Sequence, residues 1–227
     1  APDWPLVTKV PADLEGDRIT PILSGWLKEE RKQGNEEVGR VVELQNTPVP
    51  LQVDLRKWPG VAVEQVADLQ ALPDESVSLL WTPFAVQRAK DRLSLVAQAR
   101  RVLRPGGTWA FMDVLPAVMP GHWLYRFFPQ VWSNEEAGTW DTSQLYNQLV
   151  QAGFQVKLAR HNYHQPITSG TACEVAQQRE TIPQLATLFD EAYESGLAAL
   201  QEQVERQGKD SVVGSEFCLI EVLAVRG

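Results

Sequence analysis

The stretch that decides the fold is Asp91–Val114, DRLSLVAQARRVLRPGGTWAFMDV. Leu95, Val96, Ala99, Val102 and Leu103 recur at helical spacing, so Asp91 to Leu103 is expected to be a helix with one apolar face. Arg104-Pro105-Gly106-Gly107 ends it: Pro105 cannot continue a helix, and the two glycines permit a tight turn at positive φ. Thr108 to Val114 then reads as an apolar strand. A helix handed through a glycine turn into a near-continuous apolar strand is the repeating step of a sheet buried on both faces.

Outward from this unit the same alternation continues. Upstream, Val77-Ser78-Leu79-Leu80-Trp81 is a strand bounded by Pro73-Asp74 and Pro83. Val61–Val66, Leu51–Leu55 and Arg40–Leu44 are three further short strand candidates. Thr20-Pro21 has the form of a helix start, with Thr20 as N-cap and Pro21 in the first turn, and that helix should stop near Gly34-Asn35. Downstream, Thr142 to Ala152 reads as a helix stopped by Gly153, and Phe154 to Ala159 as a strand. Pro183 to about Gln207 reads as one long amphipathic helix with Leu185, Leu188, Phe189, Ala192 and Leu197 inward. Phe217 to Val225 closes the chain as an apolar strand. Strands alternating with helices imply crossover connections and a mostly parallel sheet. The expected organisation is one domain over 1–227. Residues 1–39 form its lead-in and first helix, and the Trp-, Phe-, Pro- and Gly-rich stretch 115–140 is a lid or insertion.

Composition narrows the function. The 227 residues carry 21 basic and 29 acidic side chains, a formal charge of −8, and 44% are hydrophobic. An acidic chain without a Lys/Arg run has no electrostatic footprint for nucleic acid, so a small-molecule or protein partner is expected. Two cysteines and three histidines, none in a ligand-spaced pair, give neither a disulfide framework nor a metal site. No apolar run reaches the length of a membrane span. The first residues lack the basic and apolar blocks of a signal peptide, and a cytoplasmic location is expected.

Three motifs in order, Asp68-Leu69-Gln70-Ala71-Leu72-Pro73, Ser76–Leu80 and Arg101–Thr108 (RVLRPGGT), resemble class I S-adenosylmethionine-dependent methyltransferases. Leu149–Val156 (LVQAGFQV) resembles the helix-to-strand step before that family's last antiparallel pair. The resemblance covers roughly Val41 to Val156. It implies a Rossmann-like α/β fold: a mostly parallel central sheet, a C-terminal antiparallel strand and helices on both faces. It also implies S-adenosylmethionine as cofactor and methyl transfer to a small molecule or a protein side chain. The alternative is a catalytically inactive member of the fold, kept as a binding or assembly module. The lack of any GxGxxG argues against a dinucleotide-binding protein of another kind.

By this resemblance Glu43, at the end of its strand, would meet the cofactor's ammonium. Asp54 would accept from the two ribose hydroxyls, as a carboxylate can. Asp68 would accept from the adenine amino group, with Leu69 packed beside the ring. Trp81, in Trp81-Thr82-Pro83-Phe84, sits at the carboxyl end of its strand, where ligands of open α/β sheets bind. Asp113 ends its strand on the same edge. With His122 and Tyr125 from the lid stretch, it is a candidate for the substrate side. His161 and His164 alternate with Tyr163 and read as a polar edge. No general base stands out, and alignment of a nucleophile with the methyl group does not require one. The chain departs from the family at Gln45-Asn46-Thr47-Pro48-Val49-Pro50. A glycine-rich turn belongs there, but this segment has no glycine and two prolines that cannot donate. Asp54 also follows Glu43 by only eleven positions, too few for a full crossover helix. Weak or absent cofactor affinity is the expectation, and Gln45 to Leu51 should not hold a full helix.

Overall fold

The computed structural model describes residues 39–44, 62–164, 166–214 and 216–227. The helix after Thr20, the crossover 45–51, the strand at 51–55 and Asp54 lie outside the described residues. By their contacts the described residues form two compact units. One comprises 39–113, 143–159 and 221–227; the other comprises 114–142 and 160–220.

The chain forms a six-stranded sheet, of which residues 160–164 and 216–220 are counted in the other unit. Its strands are β1 (Val41–Leu44), β2 (Val63–Val66), β3 (Val77–Trp81), β4 (Leu103–Val114), β5 (Phe154–His164) and β8 (Glu216–Arg226), in the order β2-β1-β3-β4-β8-β5. The pairs β1–β2, β1–β3 and β3–β4 are all parallel, and the C-terminal strand β8 lies between β4 and the edge strand β5. β3 is buried at every position, and Val41 and Val42 are 1% and 0% exposed. That is why these short runs read as continuous rather than alternating apolar sequence.

The helix expected at 91–103 is α1, Arg92–Val102. Asp91 caps it, its carboxylate accepting from Ser94 N at 2.9 Å. Val96, Ala99 and Val102 are buried; Leu95 is only half-buried. The two glycines of the turn do different jobs. Gly106 has φ +74 and supplies the left-handed conformation. Gly107 does not have positive φ, which corrects the expectation for it. A Cβ there would lie 2.8 Å from Arg104 O and 3.0 Å from Val77 O, so it is the close approach of β3's backbone that requires a glycine. The helix expected at 142–152 is α4, Thr142–Gln151, followed by Gly153 at φ +87. Near the C-terminus Arg226 donates to Arg100 O at 3.0 Å and to Leu103 O. A cation thus covers the open carbonyls at the end of α1.

In the second unit the stretch after β4 forms α2 (Trp123–Phe127) and α3 (Pro129–Gly138). Further along come β6 (Ile167–Thr168), α5 (Ser169–Ala176), α6 (Pro183–Ala186), α7 (Asp190–Gln207) and β7 (Val212–Val213). β6 and β7 pair antiparallel. Neither these two strands nor α5 was legible beforehand, and β5 runs on to His164 rather than ending at Ala159.

The single helix expected from Pro183 to Gln207 is two helices. The break at 187–189 is held by Arg179. Its Nε donates to Leu185 O at 3.2 Å, its Nη2 to Leu188 O, and its Nη1 to Asp190 Oδ1 at 2.6 Å. The guanidinium also lies 4.6 Å from the centre of the Tyr193 ring. One side chain therefore satisfies carbonyls that a continuous helix would have used internally. As a result Phe189, expected inward, is 85% exposed, while Leu185 and Leu188 are buried as expected.

Candidate cofactor site

The carboxyl ends of parallel β1, β2 and β3 share one edge of the sheet. Glu43 lies on β1, directly across from Gln65 of β2 on one side and Trp81 of β3 on the other. It is 2% exposed, and Trp81 is 1% exposed. Both hydrogen-bonding edges of β1 are therefore taken by β2 and β3. The strand beside β1 is the one that leads into Asp68-Leu69, two residues past Val66, so these two residues leave the sheet at the same edge as Glu43.

Asp68 is the N-cap of a 3-10 turn, Leu69–Ala71, and its carboxylate accepts from Gln70 N at 2.9 Å. It is exposed to solvent, so further acceptor capacity remains on that carboxylate. Leu69 beside it is 3% exposed. The turn is tethered by the first residue of the RVLRPGGT motif. Arg101, from RVLRPGG, donates through Nη2 to Leu69 O at 2.9 Å and through Nη1 to Leu72 O at 2.8 Å. The same Nη1 meets Asp74 Oδ1 at 2.5 Å. The two most recognisable motifs of the sequence are thus one hydrogen-bonded assembly, and Arg101 is a positioning residue for Asp68 and Leu69.

The turn after β3 is fixed from β4. Thr82 N donates to Ala110 O and Phe84 N to Met112 O, and Trp109 Nε1 donates to the buried Thr82 hydroxyl at 2.7 Å. Asp113 is 1% exposed. Its Oδ2 accepts from Val86 N and Gln87 N, each at 3.1 Å. The carboxylate offered by the sequence as a substrate group thus faces inward, to the backbone of this turn. Phe84 is one of two non-glycine residues at positive φ among those described, at 57°.

His122 and Tyr125 belong to the other unit. His122 is the N-cap of α2, with Nδ1 accepting from Leu124 N at 3.2 Å. Burial pulls its imidazole down to about 4, so it is neutral near pH 7. The Tyr125 hydroxyl donates to Glu135 Oε2. Burial first, then the neighbouring carboxylate, pushes that phenol above its ordinary value. Burial likewise raises Glu135, against the opposing hydrogen bonds from Tyr125 and Gln184. Among the described residues no three His, Cys, Asp or Glu side chains converge on a metal position. None of the described helices is long and apolar enough to cross a membrane.

Comparison with known proteins agrees with this architecture. Residues 29–111 match the family model of a methyltransferase domain. No curated protein matches the chain. A protein described as a methyltransferase from an antibiotic biosynthesis pathway of Anabaena variabilis superposes with a TM-score of 0.53 at 13% identity. The match covers 88% of this chain and 96% of that one. Phosphoethanolamine N-methyltransferase 2 of Haemonchus contortus, solved with phosphomonomethylethanolamine and S-adenosylhomocysteine, gives 0.49 at 15% identity over 89% of this chain. This chain spans about half, 53%, of that protein. A protein from Bacillus halodurans, also described as a methyltransferase, gives 0.49 at 17% identity, covering 89% and 99%. At such identities the likeness is one of fold. The family model matches 83 of the 227 residues (29–111), a resemblance of that stretch to a methyltransferase domain. The fold is methyltransferase-like.

The described residues offer groups that suit S-adenosylmethionine, the cofactor the resemblance implies. An exposed carboxylate with spare acceptor capacity, Asp68, suits a hydroxyl or amino donor. Buried Leu69 and Trp81 suit a ring, and the buried carboxylate of Glu43 suits a cationic group.

Proposed function

We propose that this chain is a methyltransferase that takes S-adenosylmethionine at the shared carboxyl edge of β1, β2 and β3, with weak affinity. The acceptor is proposed to be a small molecule or a protein side chain, and the location cytoplasmic, in keeping with the two free thiols Cys173 and Cys218. The observation that carries the reading is the register of β1. It aligns buried Glu43 with Trp81 and sets β2, with Asp68-Leu69 after it, alongside. Glu43 would meet the ammonium end, Asp68 the nucleoside's donors, and Leu69 and Trp81 its ring. Arg101 would keep the Asp68 turn in place. The bound cofactor would supply an activated methyl group; the protein's own part is orientation and exclusion of water.

The sequence of 45–50 favours weak binding, since glycine-free backbone with two prolines offers few donors to the amino-acid end. The same feature supports the second reading, a module that has lost the cofactor. Hydrogen exchange in saturating S-adenosylhomocysteine separates the two. Added protection of amides in Val42–Leu44 and Ala67–Leu72, with none in α7, is expected of the enzyme. Unchanged exchange in both segments would leave the module.

A further inference from the structure

A second candidate site lies wholly within the unit 114–142 and 160–220. A cleft of about 300 Å³ opens between the end of β5, the start of β8 and the short turn after β4. Among its lining residues are Met119, Asn162, Tyr163, His164, Glu216 and Phe217. The volume is at the small end for ligand sites.

Glu216 is the one acid among the cleft's lining residues and His164 the one basic side chain. Glu216 is exposed and among the described residues has no cationic partner. A Cβ at Gly121 would sit 3.2 Å from Glu216 Oε2, so the absence of a side chain at Gly121 leaves room for the carboxylate there. The Tyr163 and Phe217 rings lie tilted at 46° with centroids 6.4 Å apart. Phe217 and Met119 are buried, forming an apolar floor. Glu216 and Tyr163 line the same cleft, so a cation there would meet the carboxylate charge and an aromatic ring. The Asn162 amide adds a neutral polar group. An anion would be repelled by Glu216, and a neutral ligand would gain at most a hydrogen bond from it.

We propose that this cleft binds a small organic cation, an ammonium carried on a compact apolar or aromatic body. The inference stands apart from the cofactor reading, because every residue it uses lies in the other unit.

The chain's two methionines give a direct test. Met119 lines the cleft, whereas Met112 lies buried in β4. Methyl-¹³C-methionine labelling therefore gives two signals, assigned with Met112→Leu. The probes are benzylamine, benzyl alcohol and phenylacetate at pH 7.5, which hold the ring constant and change the charge. Benzylamine is expected to shift the Met119 methyl in a saturable way and leave Met112 still, with millimolar affinity. Benzyl alcohol should bind at least about fivefold more weakly, a modest ratio because the carboxylate is solvated, and phenylacetate more weakly again. Glu216→Gln should remove the preference for the amine while both methyl signals keep their free positions, which shows that the fold is intact. Tyr163→Leu should weaken benzylamine at least about threefold with Glu216 still present. Equal affinities for the three probes, an unmoved Met119 signal, or an amine preference that survives Glu216→Gln would overturn the proposal.

Discussion

Arg101→Ala is the sharpest structural test, because one side chain carries the link between α1 and the Asp68 turn. The substitution removes two charge-assisted hydrogen bonds to backbone carbonyls, at 2.8 Å to Leu72 O and 2.9 Å to Leu69 O. Hydrogen bonds to charged groups contribute about 1.5–3 kcal/mol each. Arg101's side chain is 29% exposed, so the freed carbonyls regain some water, and the lower figure applies to each. The Asp74 partner is 73% exposed, and such a pair adds under about 1 kcal/mol. The total is about 3 kcal/mol. With a urea slope of about 2–3 kcal/mol per molar, the midpoint should fall by about 1 M at unchanged slope. Asp74→Asn should move it by less than about 0.4 M. Arg101→Lys, a point charge that cannot fork between two carbonyls, should fall between the two. In hydrogen exchange the Leu72 amide, bonded to Leu69 O at 3.1 Å, should lose protection in Arg101→Ala. A midpoint within about 0.2 M of the parent, or an Asp74→Asn loss equal to that of Arg101→Ala, would refute the tether.

Two other expectations are independent of it. Gly107→Ala should cost about 3 kcal/mol through its clash with two backbone carbonyls. Gly106→Ala, with φ +74 and no atom within 4 Å of its Cβ, should cost only about 1 kcal/mol from the left-handed backbone; chemical denaturation ranks them. For His122 the folded value of about 4 lies below the ordinary 6.5. Its contribution is therefore complete above pH 6.5 and falls away as pH drops toward 4, by about 3 kcal/mol at most. His122→Asn keeps an N-cap acceptor and should flatten the stability profile across that window. An unchanged slope between pH 4 and 6.5 would show that His122 is not its source.

Much of the fold was legible because it is local. Asp91 as a cap, the apolar face of α1 and the continuous burial of β3 follow from spacing and backbone chemistry within a few residues, whereas the helix ends at Val102 and β4 already starts at Leu103, before Pro105-Gly106. What was not legible depends on partners far along the chain. The break at 187–189 exists because Arg179 reaches it from another turn, and no period in Pro183–Gln207 announces that. The pairing of β2 directly with β1 is a long-range choice. It sets Asp68 just past the strand beside Glu43. Arg101 was hidden for the same reason. It opens a motif whose proline and glycines carry the helix-ending role, and its own long-range partners, the carbonyls of Leu69 and Leu72, are not visible in local spacing. Asp113 was rightly placed at a strand end, but only its two backbone donors reveal that its carboxylate turns inward.

The central claim is that the edge formed by Glu43, Asp68, Leu69 and Trp81 takes S-adenosylmethionine, and isothermal titration measures it most directly. With Asp68 supplying a charged acceptor and the 45–50 segment supplying few donors, a Kd of roughly 100 µM to 1 mM is expected, about −4 to −5.5 kcal/mol. S-adenosylhomocysteine should bind within about threefold of it. Asp68→Ala should weaken both at least about tenfold, the loss of one charge-assisted hydrogen bond. Binding in the expected range that Asp68→Ala leaves untouched would contradict the assigned site, and no heat at several millimolar ligand would contradict cofactor binding itself.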